Sequence, residues 1–182
     1  MVTSNTDMVS SQKLKSTQIL DDCQRSLDLL EMVPDGDKQL FRIYWAFCLV
    51  SLRRVKDALE KYDLILSSEA RIAYEKRKKA LGELKNKYGK DTPFSECEID
   101  YLVYHRLIHG ERNIVVHEVE QTYTDSWTCY GPDGIFDLGD IYLPMWSIEL
   151  WGDWDCRDWL KEGIEWWRKE ISELFNNVGD IQ

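Results

Sequence analysis

Long apolar runs are absent from this chain of 182 residues. No stretch approaches the ~18 consecutive apolar residues that a membrane-spanning helix requires. The first residues of the chain are polar and contain no apolar segment of the kind found in secretory signals. We therefore expect a cytoplasmic protein without a membrane partner, in which residues 1–12 form a flexible tail.

Closely spaced cysteine pairs are missing too. The chain has five cysteines, an odd number, and none of them belongs to a CxxC pair. Since we also see no export signal, free thiols in a reducing compartment are the expected state. The cysteines are Cys23, Cys48, Cys97, Cys129 and Cys156.

Motifs for nucleotide binding or nucleophilic catalysis are not found either. The sequence contains no P-loop, no dinucleotide-binding glycine pattern and no GxSxG elbow. Cys97 and Cys129 have no paired histidine in a recognisable arrangement. These absences favour a binding protein over an enzyme, and we expect no cofactor apart from the zinc considered below.

Hydrophobic periodicity predicts helices in the first part of the chain. Apolar residues at three- and four-residue steps predict a helix over 14–33 and a second helix that begins after a cap at Asp37. A third helix is expected from a cap at Ser67 or Ser68 to about Tyr88. A fourth is expected to begin at Thr92-Pro93 and to end at Gly110.

The period changes near Arg112 to the two-residue alternation of a strand. The Tyr130–Ile135 segment, with its Pro-Asp-Gly core, is typical of a hairpin turn. We therefore expect a single α+β domain over residues 13–176. It would consist of a helical bundle of about four helices (13–110), a small antiparallel β-meander (111–150) and a Trp-rich C-terminal helix (155–176).

One segment resembles a known family. The stretch from Tyr44 to Leu66, with Ala58–Tyr62 at its centre, resembles the second half of a tetratricopeptide-type helical hairpin. The resemblance covers one repeat at most, and no second copy follows at the ~34-residue period. It carries no function to this chain.

Tryptophan and acidic residues are concentrated in the second half of the chain. Seven of the eight tryptophans fall between Trp127 and Trp167, and residues 91–182 carry 20 acidic and 6 basic side chains. Tryptophan is enriched at binding hot spots, and an acidic rim suits a basic partner. The first hypothesis is therefore a protein-interaction module (an inhibitor, immunity-type or adaptor protein) that binds a basic protein. The alternative is that the tryptophans form a sheet–helix core. The predicted contact residues are Trp146, Trp151, Trp154, Trp166, Asp153 and Asp158.

Basic residues are concentrated in one helix, since residues 71–90 carry 8 basic and 2 acidic side chains. The second hypothesis is a nucleic-acid-associated protein of phage or defence type that uses this helix to bind phosphate or an acidic partner. The alternative is a solvated face that pairs with the acidic half of this chain or of a second copy, which leaves a homo-oligomer open. The candidate residues are Lys76, Lys78, Lys79 and Lys85.

The histidines suggest a third hypothesis. His105 and His109 are four residues apart on a predicted helix, a spacing that lets both rings bind one Zn²⁺, as in a metal-dependent hydrolase. Arg106 stands where zinc proteases carry a catalytic glutamate. The alternative is a pair of surface histidines near a helix C-terminus. The candidates for a third ligand are His117, Cys97, Glu111 and Glu118.

Overall fold

The computed structural model of the chain describes residues 13–89, 92–111, 123–131, 134–143 and 155–176. The five helices in these residues are α1 (Lys15–Glu31), α2 (Lys38–Ala58), α3 (Ser68–Lys87), α4 (Ile99–Tyr101) and α5 (Cys156–Asn176). Helix α2 continues as a π-helical turn (Leu59–Asp63), and α4 continues as a π-helix (Leu102–Glu111). A 3₁₀ turn covers Phe94–Glu96. Strands β1 (Tyr123–Gly131) and β2 (Gly134–Leu143) pair antiparallel.

The expectation of an α+β fold with a β-meander is wrong. Helices dominate the described residues, and strand structure there is limited to the two-stranded hairpin of β1 and β2. The physical reason lies in α5, which packs on α1, α2, α3 and the π-helix of α4. The helices thus cover one another's apolar faces, and the core of the described residues needs no sheet. The strand predictions at 112–122 and 144–150, like the tail at 1–12, lie outside the described residues.

Polar caps fix where the second and third helices begin. Asp37 accepts a hydrogen bond from the backbone N–H of Leu40 at 3.0 Å, and the Ser67 hydroxyl accepts one from Ala70 at 3.1 Å. Such caps satisfy donors that the first turn of a helix leaves unpaired. The fourth helix differs from the expectation, because the backbone is extended after the 3₁₀ turn and α4 begins only at Ile99.

Helix α1 takes its cap from a distant part of the chain. Asp63, at the end of the π-helical turn that follows α2, is only 2 % exposed. Its two carboxylate oxygens accept the backbone N–H groups of Lys15 and Ser16 at 2.9 and 2.8 Å. This contact joins the start of α1 to the end of α2, so the two helices lie side by side as an antiparallel pair.

The core of the described residues is centred on α2 and α5. Trp45, Trp159 and Trp167 are fully or almost fully buried, and the Trp167 indole N–H donates to the Leu52 carbonyl at 2.9 Å. Gly163 brings α5 close to Leu52 on α2. None of the helices described is long and apolar enough to cross a membrane. The cysteines whose side chains are described are all free thiols.

Candidate functional site

The two predicted metal-ligating histidines lie on the π-helix of α4, with ring centroids 6.4 Å apart. Nε2 of His105 is 2.7 Å from the carbonyl oxygen of Leu81 on α3, and a carbonyl only accepts, so this nitrogen carries a proton. Nε2 of His109 is 2.9 Å from Nη1 of Arg53 on α2, and a guanidinium only donates, so this nitrogen is an acceptor. Both Nε2 atoms are therefore engaged within the protein.

Zinc binding by this pair stays a prediction. Within the residues that the structure describes, no group of three or more potential metal ligands comes together. Three of the four candidates for a third ligand, His117, Glu111 and Glu118, have no described side chain, and Cys97 is placed beside the Thr92 carbonyl.

Four basic side chains from two other helices lie near the histidines or near Tyr104, which packs against them. Arg53 and Lys56 come from α2, while Lys78 and Lys85 come from α3. Tyr104 packs against both imidazoles, with ring centroids 5.0 Å from His105 and 4.8 Å from His109. We call this set the basic crevice, and its members are Arg53, Lys56, Lys78, Lys85, His105 and His109.

One carboxylate, Glu60, pairs with the basic crevice. Its Oε1 accepts a hydrogen bond from Lys78 at 3.0 Å and another from the Tyr74 hydroxyl at 2.8 Å, and Lys56 lies 3.9 Å away. Burial acts to raise the pKa of Glu60, but the hydrogen bonds from Lys78 and Tyr74 outweigh it and hold that pKa below its usual value. Glu60 is thus ionised, and it offsets only part of the positive charge around it.

Three basic groups of the crevice have lowered pKa values, whereas the hydrogen bond to Glu60 raises the pKa of Lys78. Burial, followed by the charges of Arg53 and Lys56, lowers the pKa of His109 to about 3. Burial also lowers the pKa of His105 and that of Lys56. Three basic groups shifted in one direction indicate a partly desolvated place with an excess of cations. Both imidazoles are therefore neutral near pH 7, and an anion bound here would relieve the excess.

The four lysines predicted as one stripe face different directions. Lys78 and Lys85 are seven residues apart, which is about two helical turns, so they share the side of α3 that faces the crevice. Lys76 and Lys79 are exposed on other sides of α3, about 100° or more around the helix axis. The structure therefore brings Lys85 near the histidines and Lys78 into contact with Glu60.

Trp166 lies in the core rather than on an exposed surface. It is 6 % exposed, its indole N–H donates to Oδ1 of Asp100 at 2.8 Å, and its ring packs 5.7 Å from that of Tyr104. The prediction that Trp166 contributes to an exposed binding surface is corrected accordingly. Its place follows from the apolar face of α5, which turns towards α3 and α4.

Asp158 is the other predicted partner-binding residue that the structure describes. It is exposed at the start of α5 and lies 3.3 Å from Lys161, which also pairs with Glu31 at 2.7 Å. Lys161 offsets part of the negative charge of these two carboxylates. Trp146, Trp151, Asp153 and Trp154 lie outside the described residues.

An ion-pair network behind Tyr104 was not foreseen from the sequence. Arg77 of α3 makes a two-pronged contact with Glu170 of α5, with Nε to Oε2 at 2.9 Å and Nη2 to Oε1 at 2.6 Å. The same Nη2 lies 2.8 Å from Asp100 at the start of α4. This network ties together α3, α4 and α5, and so it fixes the relative position of α3 and α4, two of the elements that carry the crevice.

Arg53 and Lys56 are the crevice residues that sequence reasoning missed. A signal was available, because Arg53, Lys56 and Glu60 recur at three- and four-residue steps on one face of α2. No local pattern pointed to the contact of Arg53 with His109, however, because 56 residues separate them in sequence.

Comparison of the chain with protein-family models, curated proteins and solved structures finds no match. The function therefore has to be argued from the geometry of the basic crevice.

Proposed function

We propose that this chain is a nucleic-acid-associated protein that binds phosphate groups of a single strand in the basic crevice. The carrying observation is a local excess of positive charge: Arg53 and Lys56 are partly buried, Lys78 and Lys85 are exposed beside them, and Glu60 pairs with Lys56 and Lys78. Asp57 and Glu75 lie near enough to act on these lysines, but neither pairs with Arg53 or Lys85 in the described residues. Guanidinium and ammonium groups are the usual ligands of phosphate, and phosphate contacts supply most sequence-independent affinity for nucleic acids.

A single strand fits the charge distribution better than a duplex. The chain as a whole has a net charge of −10, which repels a wide duplex more than a single strand. A single strand reaches the crevice with only one or two phosphates. An acidic peptide is the competing occupant, and the experiment below includes it.

The test is fluorescence anisotropy with labelled 12-nucleotide RNA and DNA between 50 and 200 mM NaCl, with an oligoglutamate peptide as competitor. We expect Arg53→Gln, Lys56→Gln and Lys85→Gln each to weaken binding by about 5–10-fold. Each should also lower the salt slope by about 0.7, the value for one lost phosphate contact on a single strand. The melting temperature of each variant checks that it is folded.

Lys76→Gln and Lys79→Gln are the matched controls, because they remove the same charge from α3 outside the crevice. We expect them to change the dissociation constant less than twofold. Equal weakening by both sets of variants would show diffuse attraction to a basic helix and contradict the crevice as the site. Displacement by oligoglutamate at equal charge concentration would favour an acidic protein partner instead.

The other hypotheses remain predictions. A basic protein partner would need the acidic tryptophan region, whose predicted contacts are mostly outside the described residues, and the crevice has the wrong sign for it. Asp158 is the described residue at which that idea is testable. A metal-dependent hydrolase would need the histidine pair to exchange its present hydrogen bonds for a metal.

A further inference from the structure

We propose that the basic crevice recognises the terminal phosphomonoester of a nucleic-acid strand in preference to an internal phosphodiester. This inference rests on the proposed function, since it names the part of the strand that the crevice takes. Three properties of the crevice carry it: its charge, its partial burial and the directions from which its cations come.

The charge of the crevice matches a dianion better than a monoanion. Arg53 is half-buried, and its hydrogen-bond partner is the neutral ring of His109; within the described residues it has no carboxylate partner. The Lys56 side chain is 15 % exposed and lies 3.9 Å from a carboxylate that Lys78 and Tyr74 already bind. A phosphomonoester carries about −1.5 to −2 charges near pH 7, whereas a phosphodiester carries one.

The partial burial of Arg53 and Lys56 increases the effect on binding of the charge difference between a phosphomonoester and a phosphodiester. Exposed charges are screened by water and salt, so a mismatch of one unit matters little at a surface. A charge kept partly out of water interacts more strongly with its neighbours, and leaving it uncompensated is costly. Lys56 and His109 lie in the second regime, because burial lowers the pKa of each, whereas Lys78 and Lys85 are exposed.

The basic groups also come from three elements. Arg53 of α2 bonds His109 on the π-helix, and Lys56 of α2 and Lys85 of α3 lie near enough to lower the pKa of His109. A terminal phosphate presents three free oxygens to such groups and continues as a chain on one side only. An internal phosphodiester has two free oxygens and carries a sugar on each side. The geometry therefore favours an end of the strand.

The experiment compares three 8-nucleotide RNAs of one sequence, with a 5′-phosphate, a 3′-phosphate or hydroxyl groups at both ends. We expect at least one of the phosphorylated strands to bind 10-fold or more tightly than the hydroxyl-ended strand, and the two phosphorylated strands distinguish which end is read. Arg53→Gln and the exposed Lys85→Gln should reduce this preference to less than threefold, whereas Lys79→Gln should leave it intact.

The outcomes separate this inference from the proposed function. Equal binding of all three strands, with loss of affinity in Arg53→Gln, would overturn the terminal preference and leave the proposed function standing. Failure of every strand to bind would overturn both. If Lys79→Gln reduces the preference for a phosphorylated end as much as Lys85→Gln does, the end of the strand binds outside the crevice. The inference is then refuted.

Discussion

Replacing Gly163 with alanine should destabilise the protein, although alanine is the better helix former. Gly163 lies inside α5, where a Cβ atom would be 2.9 Å from Cδ2 of Leu107 and 3.0 Å from Cδ1 of Leu52. Carbon atoms in contact prefer separations of about 3.5–4.0 Å. Both leucines are fully buried and cannot turn away into solvent. The added methyl group therefore overpacks the contact between α5, α2 and the π-helix.

The expected change in the free energy of unfolding of Gly163→Ala follows from two opposing effects. Glycine to alanine in a helix interior stabilises by about 1 kcal/mol, whereas overpacking a core costs about 1–3 kcal/mol. Gly82, on the exposed side of α3, provides the matched control because its Cβ would meet nothing within 4 Å. We expect Gly82→Ala to raise the free energy of unfolding by about 0.5–1 kcal/mol. The free energy of unfolding of Gly163→Ala should be lower than that of Gly82→Ala by about 1–3 kcal/mol.

Urea unfolding followed by tryptophan fluorescence measures both free energies. The clash is assigned by repeating Gly163→Ala in a Leu107→Ala background, where the closest obstructing atom is gone. There the penalty of the added methyl group should shrink by about 1 kcal/mol or more. If Gly163→Ala stabilises the protein as much as Gly82→Ala does, the close approach of α5 to the π-helix is refuted.

Three further predictions concern buried polar groups. Asp63→Ala should lower the free energy of unfolding, measured by urea titration, by about 2–3 kcal/mol, because it removes the cap of α1. The control, Asp57→Ala at an exposed position, should lower it by less than about 0.5 kcal/mol. Equal effects of the two variants would contradict the long-range cap. Glu170→Gln should lower the free energy of unfolding by about 2–4 kcal/mol, because it leaves the half-buried Arg77 without its main partner. The double variant Arg77→Met, Glu170→Leu should recover most of this loss of stability. A double variant no more stable than Glu170→Gln would contradict the importance of the Arg77–Glu170 ion pair. Burial and nearby cations lower the pKa of His109 from 6.5 to about 3, so the unfolded chain binds its proton first and stability falls as pH drops below 6.5. We expect the free energy of unfolding to fall by about 1 kcal/mol between pH 6.5 and 5.5 because of His109. If a His109→Gln variant shows the same pH dependence of stability as the parent protein, this role of His109 is refuted.

Much of the helical part was predictable because its signals are local. Apolar residues at helical spacing and the side-chain caps at Asp37 and Ser67 placed α2 and α3 close to where the structure has them. The π-helix over Leu102–Glu111 has no such signal, because no capping or breaking residue at the Tyr101–Leu102 junction marks the change to i→i+5 hydrogen bonding. The fold class was wrong because a β-meander was expected beside the Trp-rich helix, whereas in the described residues that helix packs mainly on other helices.

The candidate site was predictable only in pieces. The sequence pointed to His105 and His109 as a pair and to Lys78 and Lys85 within a basic run, but as parts of two unrelated hypotheses. Their convergence depends on contacts between residues far apart in the chain, such as Nε2 of His105 with the Leu81 carbonyl. Such pairings depend on how three helices pack, and composition and periodicity carry no information about them.

The acidic body of the protein bears on what enters the basic crevice. Residues 91–182 carry 20 acidic and 6 basic side chains, so a strand lying along that half of the chain would be repelled over most of its length. Repulsion between exposed charges is screened beyond about 8 Å at physiological salt, whereas contacts inside a partly buried crevice are screened much less. A strand that inserts one end and runs away into solvent keeps the attractive contacts and avoids most of the repulsive ones. The excess of acidic residues therefore favours our proposal that the basic crevice binds the end of a strand over one in which the protein coats the length of a strand.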